Sequence, residues 1–128
     1  MIVRSIIPAA GQGKRMNSGV PKQFLQLAGK PILYHTLSVF ELSGLTDSIT
    51  LAVPPGEVNS MRIEWPNQFS RITKVVAGGK ERQDSVYNGL CSLGQDTEIV
   101  VIHDAVRPFL TPLMIEEVVN AASEHGAA

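Results

Sequence analysis

The stretch of this chain best suited to chemistry is Pro8-Ala9-Ala10-Gly11-Gln12-Gly13-Lys14-Arg15-Met16, which follows directly on the apolar run Ile2 to Ile7. Small residues and glycines let a backbone approach a phosphate closely, and successive N–H groups form an anion-binding nest. Lys14 and Arg15 add positive charge where a polyphosphate would sit, and Pro21-Lys22-Gln23 puts another lysine on the same long loop. Familiar phosphate-binding patterns fail here. A dinucleotide fingerprint needs a third glycine where Met16 stands, and an acid near the end of the second strand, where Ala52-Val53-Pro54 offers none. The pattern G-x-x-x-x-G-K-[ST] is absent. A solvated basic loop without a ligand is the competing reading.

Two further loops carry polar residues behind apolar runs. Gly78-Gly79-Lys80-Glu81-Arg82-Gln83-Asp84-Ser85 leads from a strand into a helix, and Asp84 or Ser85 could serve simply as its cap. His103-Asp104-Ala105-Val106-Arg107-Pro108 follows the last strand-like run. Asp104 reads either as a turn former or as a magnesium ligand, since magnesium takes one or two carboxylates and fills its remaining positions with phosphate oxygens and water. His103 reads as structural. Pro108 disfavours α geometry at Arg107, which either contacts a substrate phosphate or braces the loop.

These loops need a scaffold, and the chain alternates between short β-branched runs and helical patterns. Residues 2–7, 48–53, 72–76 and 98–103 read as strands; the unbroken apolar character of the last predicts burial on both faces. Helices are expected from Pro31 to Leu42, with Leu33, Leu37 and Phe40 on one stripe, and from Asp84 to Leu93, with Val86, Leu90 and Leu93. A weaker pattern at Val58 to Trp65 suggests one short helix. Thr111 is a suitable N-cap before Pro112, with Ile115, Val118, Val119 and Ala122 as the buried face. Such alternation implies βαβ units: a three-layer α/β domain, helices covering both faces of a mainly parallel sheet. Ligands then bind at the carboxyl ends of the strands, which selects the loops after Ile7, Val53, Val76 and His103.

Composition sets the frame. With 128 residues, 44% apolar and 18% charged, the chain suits a single globular domain over residues 1–128. A net charge of −1 makes no global electrostatic case for nucleic acid, although Arg4, Lys14, Arg15 and Lys22 cluster near the N-terminus. Cys91 is the single cysteine, so no internal disulfide forms, which leans towards a reducing, cytoplasmic setting. No apolar run approaches the roughly 18 residues that span a membrane.

Taken in order, Pro8-Ala9-Ala10-Gly11, Gly13-Lys14-Arg15-Met16, Pro21-Lys22-Gln23, Gly78-Gly79, Arg82, Asp84-Ser85-Val86 and His103-Asp104-Ala105-Val106-Arg107-Pro108 resemble the 2-C-methyl-D-erythritol 4-phosphate cytidylyltransferase family of the non-mevalonate isoprenoid pathway. The resemblance implies a Rossmann-like fold of the nucleotidyltransferase type and transfer of CMP from CTP to a sugar-alcohol phosphate, with release of pyrophosphate. It implies that Arg15 and Lys22 are catalytic, stabilising charge on the reacting phosphate. Ala9, Ala10, Gly11, Gly13, Gly79, Arg82 and Ser85 would bind the nucleotide, with Gly79 and Ser85 recognising cytosine, and Asp104 would hold Mg²⁺. An acceptor oxygen of the 4-hydroxyl type is expected to attack the α-phosphorus in line. Lys22→Ala is expected to cost on the order of 10²–10³ in kcat; near-normal turnover would refute that role. No nucleic-acid or membrane partner is implied, and the full-length enzyme is expected to be a homodimer. Relative to the family the chain is truncated on its C-terminal side, so it is expected to be inactive or nearly so by itself, with its fourth strand left at an open edge. Ribitol-5-phosphate cytidylyltransferase and a non-catalytic nucleotide-binding module are the alternatives.

Overall fold

The apolar runs assemble into one parallel sheet in the computed structural model, which describes residues 1–10 and 25–128. Strand β1 (Val3–Pro8) is followed by a two-stranded antiparallel ribbon, β2 (Gln26–Leu27) with β3 (Lys30–Pro31). The chain continues through α1 (Ile32–Ser43), β4 (Ser48–Val53), a 3₁₀ turn at Pro55–Glu57, α2 (Val58–Gln68), β5 (Ile72–Ala77), α3 (Arg82–Ser92), β6 (Ile99–Ile102) and α4 (Pro112–His125). The four-stranded sheet has the order β5-β4-β1-β6, and each neighbouring pair is parallel. The chain therefore moves outward from β1 to β5 and then returns to the other side of β1. That reversal puts a topological switch point between the carboxyl ends of β1 and β6.

The two faces of the sheet are packed differently. Strand residues alternate between faces, and Val3, Ile7, Ile49, Leu51, Val53, Ile72, Val75 and Val101 join one apolar core with α1, α2 and α4. Leu33, Leu37 and Phe40 are the buried stripe of α1, as their spacing predicts. Each is fully buried, which contributes roughly 1.5–3 kcal/mol of transfer free energy per side chain. Helix α2 runs past the expected Trp65 to Gln68, where Phe69 N donates to Trp65 O at 3.0 Å, and Met61 and Trp65 both enter this core. The N-cap of α4 is Thr111, whose hydroxyl accepts from Met114 N at 3.3 Å, and Ile115 and Val119 are its buried residues.

Helix α3 lies on the opposite face, as a right-handed crossover requires when the chain reverses direction. Its buried residues are Ser85 and Gly89, not the expected apolar stripe: Leu90 is exposed, and Val86 and Leu93 are only half-buried. A Cβ at Gly89 would come within 2.8 Å of Ile6 Cγ2. Close backbone approach, rather than large side chains, is what seats this helix.

Other expectations also change. Val118 is exposed and Ala122 half-buried, because α4 covers the sheet margin instead of its centre. Strand β6 is not buried on both faces; Ile102 is exposed and only Val101 is fully inside. Among the described residues β6 has no strand beyond it, so it forms the expected open edge. A cavity of about 450 Å³ lies along that edge, lined by Ile99, Val101, Val118 and Gly126 among others. The β2–β3 ribbon was not anticipated: Ala28 (φ 52°) and Gly29 (φ 82°) supply the two positive-φ residues that a tight hairpin turn needs. Among the described residues no helix is long and apolar enough to cross a membrane.

Candidate functional site

Parallel strands direct all their carboxyl ends to one side, where three loops meet. The backbone leaving β1 is held to β4 by Ala9 N donating to Ala52 O at 2.7 Å, and the backbone leaving β5 by Gly78 N donating to Val53 O at 2.6 Å. These bonds draw the two loops together. A Cβ on Gly78 would overlap the Ala10 side chain and stand 2.8 Å from Ser85 Oγ, so only glycine fits there. Ala9 is buried, and Ala10 lies at the rim.

The start of α3 then fixes the second loop. Glu81 is the N-cap, and a reciprocal capping box joins it to Asp84, whose carboxylate accepts from Glu81 N at 3.1 Å. Asp84 is thus a helix cap. Ser85 is not: it is buried, and its Oγ accepts from Gly79 N at 3.1 Å. The hydroxyl hydrogen of Ser85 remains available to donate. Gly79 and Ser85 are therefore one unit, in which the serine sets the orientation of the glycine peptide.

The third loop follows β6. Ala105 N donates to Pro8 O at 3.2 Å, and the buried Thr36 hydroxyl donates to Ala105 O at 2.8 Å, so the backbone beside Asp104 is anchored from β1 and from α1. Asp104 O accepts from Arg107 N at 3.3 Å, the bond of a tight turn. The same residue presents its carboxylate to two guanidinium groups: Arg82 Nε donates to Oδ1 at 2.5 Å, and Arg107 Nε lies 3.5 Å from Oδ2. The turn-forming and charged roles of Asp104 thus coexist. The ring of His103 lies 5.7 Å from that of Phe40, and its Nε2 is bonded to Arg107 O at 3.0 Å.

Of the anticipated site residues, Ala9, Ala10, Gly79, Arg82, Ser85 and Asp104 come together at this end of the sheet. Gly11, Gly13, Arg15 and Lys22 lie outside the described residues. Arg4, close to these residues in sequence, has a setting of its own. It projects at the amino end of β1, where its guanidinium binds Asp96 at 2.6 and 3.2 Å and the Thr97 hydroxyl at 2.6 Å. The position that sequence reading underrated is Gly78; the paired glycines were the signal, and neither has room for a side chain, Gly78 because of Ala10 and Gly79 because of Asp84.

Magnesium has a specific test here. Among the described residues no three His, Cys, Asp or Glu side chains group to hold a metal. Asp104 is the carboxylate available, and its oxygens are engaged by a pair of arginines carrying more charge than it does. That donor set does not suit a free divalent ion. It suits an ion that arrives already coordinated by phosphates, for which one protein carboxylate is enough.

A protein of Clostridium botulinum (strain Langeland) named 2-C-methyl-D-erythritol 4-phosphate cytidylyltransferase is 52% identical over 125 residues, covering 96% of this chain and 54% of its own. The protein of the same name from Syntrophus aciditrophicus is 48% identical over 128 residues, covering 98% of this chain and 55% of its own. The chain thus spans about half the length of the curated relatives it matches. The crystal structure of 4-diphosphocytidyl-2C-methyl-D-erythritol synthase from Anaerococcus prevotii aligns with a TM-score of 0.81 over 96% of this chain and 52% of that one. At 24% identity that likeness speaks for the fold alone, which is of the expected nucleotidyltransferase type. The family model for 2-C-methyl-D-erythritol 4-phosphate cytidylyltransferase matches residues 3–128, and the chain belongs to that family.

Proposed function

We propose that this chain forms the nucleotide-binding part of an enzyme that transfers CMP from CTP to 2-C-methyl-D-erythritol 4-phosphate and releases pyrophosphate. The observation that carries the reading is the convergence of Ala9-Ala10, Gly78-Gly79, Ser85 and the Arg82–Asp104–Arg107 group beside the switch point, in a chain of this family. Cytosine displays donors and acceptors on its edge, and the rigid Gly79–Ser85 unit supplies a fixed polar partner for them. Uracil inverts part of that pattern, so a site matched to cytosine rejects it by leaving polar groups unpaired. The positive balance around Asp104 favours a polyphosphate. Arg15 and Lys22, by their place in the family motif, stabilise charge that builds on the non-bridging oxygens of the α-phosphate. Asp104 would hold a magnesium ion, which when bound neutralises phosphate charge.

The acceptor named for the relatives changes one chemical expectation. In 2-C-methyl-D-erythritol 4-phosphate the 4-oxygen already carries the phosphate, so no 4-hydroxyl is free to attack. The attacking atom is therefore an oxygen of the acceptor's phosphate, not a hydroxyl. It forms a bond to the α-phosphorus of CTP while the bond to the bridging oxygen breaks, and pyrophosphate leaves with that electron pair.

Calorimetric titration with CTP and UTP, each with and without Mg²⁺, tests the nucleotide half. Binding that prefers CTP and strengthens with Mg²⁺ is expected. A chain folded by far-UV circular dichroism that binds neither nucleotide would refute the reading. Triphosphate binding indifferent to Mg²⁺ would favour a module that binds without catalysis.

A further inference from the structure

The carboxylate best placed to meet a metal is already occupied by the protein itself. Arg82 reaches Asp104 from the capped first turn of α3, at 2.5 Å, and Arg107 reaches its other oxygen at 3.5 Å. Both ends of the shorter contact are fixed by independent anchors. The Glu81–Asp84 capping box sets the helix start, while the Pro8 and Thr36 bonds to Ala105 set the loop. The pairing is therefore built into the fold. One carboxylate against a pair of guanidiniums leaves the group with a net positive charge, which repels a free divalent cation and attracts a polyanion. The contact is also easily opened. The Arg82 and Asp104 side chains are 56% and 26% exposed, and solvated ion pairs of this kind contribute little to stability. A triphosphate offers Arg82 a stronger, multidentate partner than a single carboxylate oxygen.

We propose that Arg82, assisted by Arg107, reserves Asp104: it keeps the carboxylate closed to free divalent cations until a polyphosphate draws the guanidinium away. Arg82 is then a positioning residue with two successive partners, and a cation reaches Asp104 only together with a polyphosphate or after one. The inference rests on the proposed nucleotide-binding reading for the identity of the polyanion, but not for the competition at Asp104.

The test uses Mn²⁺ alone, followed by electron paramagnetic resonance of the free ion, on the nucleotide-free chain. The unaltered chain is expected to bind Mn²⁺ no better than Asp104→Asn does. Arg82→Gln is expected to raise Mn²⁺ affinity about tenfold by removing one opposing charge, and Arg107→Gln is expected to raise it less, given its longer contact. The gain should vanish in Arg82→Gln/Asp104→Asn. In a second arm, metal-free inorganic triphosphate titrated by calorimetry should bind Arg82→Gln more weakly than the unaltered chain. An Arg82→Gln chain with a native circular dichroism spectrum and unchanged or weaker Mn²⁺ binding overturns the proposal, as does a gain that survives Asp104→Asn. Failure of CTP to bind while the Mn²⁺ pattern holds would instead overturn the nucleotide reading and leave the competition standing.

Discussion

An arginine grips an aspartate at each end of the same sheet, and the two contacts differ in every respect that matters. At the amino end Arg4 meets Asp96 through two nitrogens, with the Thr97 hydroxyl accepting a further bond and the Asp47 carboxylate adding to the attraction, so positive charge is not in excess. The hydrogen bond from Arg4 holds the Asp96 carboxyl below its usual range, against a smaller opposing effect of burial. At the carboxyl end Asp104 faces two guanidiniums, an excess of positive charge among the described residues. A balanced pair ties β1 to the turn before β6 and asks for nothing more. An unbalanced one attracts an anion. On the proposed reading, charge balance rather than the presence of an ion pair separates a structural tie from a ligand site in this fold.

Substitutions at the two ends should therefore fail differently. The largest effect is expected from Gly78→Val, because a side chain there overlaps Ala10 and pushes apart the loops leaving β1 and β5. Overpacking of this kind costs about 1–3 kcal/mol. A lowered urea midpoint together with loss of CTP binding is the expected result, and retention of both would show that the loops are free to separate.

Asp104→Asn comes next and should split the two properties. The strengthening of CTP binding by Mg²⁺ should fall about tenfold, equivalent to about 1.4 kcal/mol, while the urea midpoint stays nearly unchanged. A drop in stability as large as the drop in binding would make Asp104 a structural residue after all.

Asp96→Asn is the mirror image. It should lower the urea midpoint at neutral pH and leave CTP affinity alone; a loss of affinity would break the distinction between the ends.

The smallest effect is in pH dependence. A carboxyl held low in the folded state stabilises it above the unfolded carboxylate pKa, and that contribution is lost as pH falls through the ordinary range towards the lower folded value. Urea midpoints measured from neutral to acid pH should fall less steeply in Asp96→Asn than in the unaltered chain. Equal slopes would show that Asp96 carries none of the acid sensitivity.

Much of this molecule could be read from its residues in order. The strands, the stripe Leu33-Leu37-Phe40 and the Thr111-Pro112 start of α4 were legible because each depends on spacing within one element. So were the loops that bear the site, because parallel strands all deliver their carboxyl ends to one side. Residues 11–24 carry Arg15 and Lys22, whose roles still rest on motif alone.

Other features had no local signature. Val86, Leu90 and Leu93 have the spacing of a buried stripe, yet α3 turns Ser85 and Gly89 inward because Ile6 leaves room only for small residues. The apolar run of β6 suggested burial on both faces, but its place at the margin of the sheet leaves Ile102 exposed. Arg4, close to the basic residues in sequence, sits at the amino end of β1, away from the loops that follow the strands. The sequence alone determined the strands of the main sheet, the helices and which loops follow the strands, since periodicity, capping and turn preference act over a few residues. Only the tertiary structure decided which faces are buried and which charges meet. Those depend on strand order and on contacts between residues such as Arg82 and Asp104, which come together only when β6 closes beside β1.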